Sequence, residues 1–154
     1  MFLLFITNLF AKDYNVDSFN KFADWKNKKP EQILICDDVE ISKDTIVASL
    51  NFWNQYFEDY KEVTINVVDC DASLKYIDNS IFITKKRIPD DEEFFHGMTY
   101  FSLKNDMINS IRIEINLDFK DSQNLLTHEL GHAIGIHHED YDQKHIMHRE
   151  CDLY

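Results

Sequence analysis

Apolar positions along this chain follow two rhythms, and each predicts a different element. The run "ILIC" at 33–36 is apolar without interruption, which fits a buried strand. Ile46, Leu50, Trp53 and Phe57 then recur at intervals of four, three and four, the apolar stripe of a helix, with Ser42 as N-cap and Asp44 in the first turn. Four later segments, "EVTINVV" (62–68), "SIFIT" (80–84), "MTYFSL" (98–103) and "SIRIEINL" (110–117), are rich in β-branched and aromatic residues and predict strands. In the last, Ile111, Ile113, Ile115 and Leu117 alternate with Arg112, Glu114 and Asn116, so one face is wetter than the other. A final helix has Leu126, Leu130, Ala133 and Ile134 on one side and His128 and His132 on the other.

Strand, helix, several strands and a closing helix predict an α+β domain, a mixed sheet packed on two helices. Residues 33–154 form this single domain, and residues 1–32 are an N-terminal apolar segment and lead-in. Within the lead-in, Phe19, Phe22 and Trp25 are set among charges before Pro30, which fits a short amphipathic helix or a lead-in that packs on the domain. The first eleven residues, "MFLLFITNLFA", have two readings: the apolar core of a secretory signal lacking its basic start, or a buried segment. The first reading implies a secreted or periplasmic protein.

Composition narrows the partners. Sixteen basic and 28 acidic residues give a formal charge of −12, which repels nucleic acid and anionic membrane surfaces. No stretch reaches the length of a membrane-spanning helix, so stable membrane insertion is not expected. Cys36, Cys70 and Cys151 show no CxxC spacing. One bridge is compatible with them, although Cys36 and Cys70 fall in or near strands and read as buried apolar residues.

Six of the seven histidines lie between residues 128 and 148, in and after "HELGHAIGIHHED". His128 and His132, four apart, present both imidazoles on one helical face, a geometry that grips one ion. Gly135 can take positive φ, end the helix and turn the chain so that His138 supplies a third ligand. His137 is its neighbour and the alternative third ligand, disfavoured by the Gly-x-x-His spacing. Three neutral imidazoles on Zn2+ leave a fourth position for water, and Glu129 beside the first ligand suits a general base. The chemistry this predicts is hydrolysis of a peptide bond with one catalytic zinc ion.

The run His128, Glu129, His132, Gly135, His138, followed nine residues later by Met147, resembles the metzincin metallopeptidases, most of all the matrixins. Glu139 and the Met147–His148 pair are similar to astacins. The resemblance covers roughly 33–148, with the specific motif at 128–147. It implies a mostly parallel sheet in which "HGMTYFSL" is an antiparallel edge strand pairing with extended substrate, "SIRIEINL" leads to the zinc helix, and Met147 forms a turn beneath the metal. Arg149 stands where astacins have a zinc-binding tyrosine, and the histidines of a matrixin structural zinc and a cysteine switch are missing. The chain continues only seven residues past Met147, short of the wall that usually shapes the specificity pocket.

The expected activity is that of a zinc endopeptidase acting on extended protein or peptide segments. Two alternatives stand beside it: an intracellular HExxH peptidase that cleaves regulators, and a non-catalytic binding module stabilised by zinc. Ca2+ is a second candidate cation at Asp90, Asp91, Glu92 and Glu93, whose simpler reading is a solvated loop. His145 and His148 receive no role.

Overall fold

The computed structural model describes residues 14–71, 74, 77–86 and 96–149. Residues 1–11, the acidic run at 90–93 and Cys151 lie outside them, and with these the signal-peptide and calcium readings.

Five strands and two helices make the α+β domain: β1 (Gln32–Cys36), α1 (Lys43–Trp53), β2 (Thr64–Val68), β3 (Ser80–Lys85), β4 (Gly97–Lys104), β5 (Met107–Ile115) and α2 (Gln123–Ala133). The sheet order is β2-β1-β3-β5-β4. All neighbours are parallel except β4, which pairs antiparallel with β5 at the edge. The uninterrupted apolar runs fall where parallel sheets need them: Ile33–Cys36 in β1 and Ser80–Ile83 in β3 are buried throughout. β5 alternates as its sequence predicts, with Ile111, Ile113 and Ile115 fully buried and Arg112 and Glu114 half-buried.

Both helices start on a serine. Ser42 Oγ accepts from Thr45 N–H at 3.1 Å and Ser122 Oγ from Leu125 N–H at 3.2 Å. Two element ends differ from the apolar pattern. α1 stops at Trp53, so Phe57 lies in the following turn, although its N–H still donates to Trp53 O at 2.9 Å. β5 stops at Ile115, because Asn116 caps a short 3-10 turn (Leu117–Phe119) by accepting from Asp118 N–H. Leu117 is therefore exposed rather than part of the alternation.

The lead-in is a strap, not a helix. After one 3-10 turn (Val16–Ser18) it runs extended across the end of α2, with Phe22 N–H donating to Gly135 O at 2.7 Å and His137 N–H to Asn20 O at 2.9 Å. Phe19 and Trp25 are buried, and Trp25 Nε1–H donates to Ala133 O at 2.9 Å. Cys36 is buried at the end of β1 as expected, but the reading of Cys70 as a buried apolar residue is corrected: it is exposed and forms with Cys36 the one bridge that the cysteines allowed. The bridge ties the end of β1 to the segment after β2 across 34 residues, a constraint of about 3–4 kcal/mol in chain-entropy terms. No described helix is long and apolar enough to cross a membrane.

α2 closes with paired bonds, Ile136 N–H to Gly131 O (3.1 Å) and Gly135 N–H to His132 O (2.8 Å), the pattern that needs a left-handed residue between them. Gly135 supplies it with φ +86°, and a Cβ there would collide with Ala23 O of the strap. Gly135→Ala is expected to cost roughly 1–3 kcal/mol for the backbone alone, with the collision in addition. Urea unfolding checks it; a midpoint equal to that of the wild type contradicts this account of the turn.

Candidate metal centre

α2 has two faces that do different work. Leu126, Leu130, Ala133 and Ile134 are fully buried against the domain. The other face presents His128, Glu129 and His132 to a cleft of about 550 Å³ between α2 and β4. The turn at Gly135 brings His138 back to the same place.

One ring nitrogen from each of His128, His132 and His138 lies within 4.8 Å of the other two. His132 and His138 approach Nε2 to Nε2 at 3.0 Å. On the far side of each helical ligand a backbone carbonyl fixes the ring: His128 Nδ1 is 2.8 Å from Ile146 O, and His132 Nδ1 is 2.8 Å from Ile136 O. A carbonyl only accepts, so each Nδ1 carries the proton and each Nε2 offers a lone pair toward the cluster. His137 instead lies against the ring of Phe22, with centroids 4.4 Å apart, while the histidine after it joins the cluster.

Burial keeps these imidazoles neutral. His128 is pushed down to about 4, chiefly by desolvation, against which the bond to Ile146 O acts. His132 is pushed down to about 3 by desolvation and then by the neighbouring His128. Both are therefore in the metal-binding form near neutral pH. The donor set, two neutral helical imidazoles and that of the exposed His138 in a cleft open to solvent, fits zinc with a position left over.

Glu129 is buried beside the triad. Its Oε2 accepts from Thr99 Oγ1 at 2.6 Å, and Thr99 belongs to the edge strand β4. Thr99 carries no signal in the sequence; only the pairing of β4 with β5 brings it to α2. Met147 is fully buried, and a Cβ on Gly131 would strike both its Sδ and the Trp53 ring. The lack of a side chain at Gly131 thus lets α2 lie against both Trp53 of α1 and the turn at Met147. His145, given no role by the sequence, shapes that turn: its Nδ1 accepts from Met147 N–H at 3.1 Å, and its Nε2 lies 3.3 Å from Ser18 Oγ of the strap. Arg149 also lines the cleft and donates through Nε to Asp140 Oδ1 at 2.7 Å.

Comparison of the chain with family models and with curated proteins finds no match in either.

Two outcomes follow from this geometry. In the unfolded chain His128 and His132 protonate near the ordinary imidazole value of 6.5, whereas the folded site holds them lower. The unfolded state thus binds more protons as pH drops below 6.5, and the stability contributed by these neutral rings is lost progressively down to about pH 4 for His128 and about pH 3 for His132. Melting curves in chelator should fall over that window, and NMR titration should show neither ring titrating near 6.5. For the ligands themselves, competition with a chromophoric chelator should give one zinc per chain. His138→Ala should weaken binding more than about 100-fold, the upper effect of losing an outer partner, while His137→Ala leaves it nearly unchanged. The reverse ranking would exchange the third ligand.

Proposed function

We propose that the protein is a zinc-dependent peptidase that cleaves extended protein or peptide segments in the cleft between α2 and β4. One observation carries this reading: a buried carboxylate, Glu129, stands on α2 between two of three converging imidazoles, His128 and His132, beside a sheet edge. The edge matters because, among the described residues, β4 has no strand on its outer side. An extended peptide can pair there through its backbone, with little demand on its sequence.

His128, His132 and His138 would hold the ion. Zinc in such a site supplies Lewis-acid polarisation of the scissile carbonyl and a water more acidic than bulk. The remaining chemistry belongs to the chain. Thr99 donates to Oε2 and so fixes the Glu129 carboxylate, a group that can accept several hydrogen bonds at once. Glu129 takes the proton of the attacking water as the new C–O bond forms. It then passes that proton to the departing amine nitrogen as the C–N bond breaks. Ile136 O and Ile146 O keep the helical imidazoles from rotating while charge develops on the substrate.

A specific observation separates this reading from an intracellular regulator-cleaving peptidase. The Cys36–Cys70 disulfide suits an oxidising compartment, and with it a secreted or periplasmic enzyme. A zinc-stabilised binding module shares the three ligands but has no use for a buried, hydrogen-bonded Glu129.

Glu129→Ala tests the assignment. Turnover of a peptide mixture by the zinc-loaded protein should drop by roughly 10²–10⁴-fold while the zinc content stays at one per chain. A variant that cleaves at the wild-type rate removes Glu129 from the mechanism, and a folded, zinc-loaded wild type that cleaves nothing favours the binding module.

A further inference from the structure

The cleft has an aromatic wall that the hydrolytic step does not use. Side chains alternate along β4, so Phe101 faces the same way as Thr99, two residues and about 7 Å along the strand from the group that holds Glu129. Phe22 of the strap meets it edge-on, with centroids 5.1 Å apart. The other side of Phe22 lies against His137, and its backbone N–H is bound to Gly135 O, so the ring is framed on both sides and fixed at its base. Phe22 is nevertheless 39% exposed, and both phenylalanines line the cleft that contains Glu129 and the three ligands. A framed, half-exposed phenyl ring opening into a cleft is apolar surface that a ligand side chain can cover.

We propose that Phe22 and Phe101 form a subsite for a large apolar or aromatic side chain of the substrate, on the N-terminal side of the cleaved bond. The assignment rests on the peptidase reading of the cleft. Its direction follows from strand pairing. An extended chain adding to β4 in the antiparallel sense, the more favourable one and the sense in which β4 already pairs with β5, runs from Phe101 toward Gly97. It therefore passes the aromatic wall before it reaches Glu129.

The test begins with a randomised, end-blocked decapeptide library incubated with zinc-loaded protein and read by mass spectrometry. Phe, Tyr, Leu or Met should be in excess within the two or three residues preceding the cut. A matched peptide pair with Phe or Ala at the enriched position then gives a kcat/KM ratio for wild type, Phe22→Ala and Phe101→Ala. The Phe preference should be roughly tenfold or more in the wild type and fall toward one in both variants. Because the ratio is taken within each variant, loss of folded protein cancels. Equal cleavage of the pair by the wild type, or a preference kept by both variants, overturns the subsite. If no library member is cut, the peptidase reading has failed separately. Calorimetry with two end-blocked hexapeptides, all-Ala or with one Phe, then decides: tighter binding of the Phe peptide by wild type but not by Phe22→Ala supports the subsite, and equal binding overturns it.

Discussion

The arrangement of the domain depends on how one helix is pinned from behind. Three aromatic donors from three separate segments reach carbonyls of α2 spaced three residues apart. Trp53 Nε1–H donates to Thr127 O (2.7 Å), Tyr60 O–H to Leu130 O (2.5 Å) and Trp25 Nε1–H to Ala133 O (2.9 Å). Each such bond is worth on the order of 1 kcal/mol net, and each donor also brings a large apolar ring. Together they fix the helix's rotation and depth. The ligand face can then look outward into the cleft without spending its own side chains on holding the helix.

Around that helix the same few contacts are shared by fold and site. The turn at Gly135 ends α2, receives the strap, delivers His138 and presents Ile136 O to His132. The turn at Met147 packs its sulfur on Gly131 and presents Ile146 O to His128. The strap reaches both, through Phe22 at the first and Ser18 at the second. A cluster built this way leaves its helical imidazoles little freedom to rotate. Desolvation keeps the helical imidazoles neutral even though the protein as a whole has a charge of −12.

The parts of this account legible in the sequence are the local ones. His128, His132, Gly135 and His138 lie within eleven residues, where helical period and one positive-φ turn determine the spatial arrangement. The buried strands announced themselves by the unbroken apolar run of β1 and the β-branched and aromatic content of β3, and the start of α1 by Ser42. What could not be read depends on contacts distant in sequence. Thr99, thirty residues before Glu129 in the chain, reaches it only because β4 is registered against β5. The strap's role depends on where Asn20 and Phe22 cross α2, and amphipathic spacing alone does not say. Cys36 and Cys70 looked like two apolar residues because their pairing follows from β1 lying beside β2.

The central claim is a centre of three imidazoles with room for one more ligand. X-ray absorption at the zinc edge, on protein loaded with one equivalent of metal, addresses it without reference to any substrate. The account predicts a four-coordinate shell of nitrogen and oxygen at about 2.0–2.1 Å, with the multiple-scattering signature of three imidazoles. A sulfur shell near ~2.3 Å, or only two imidazoles, would contradict it.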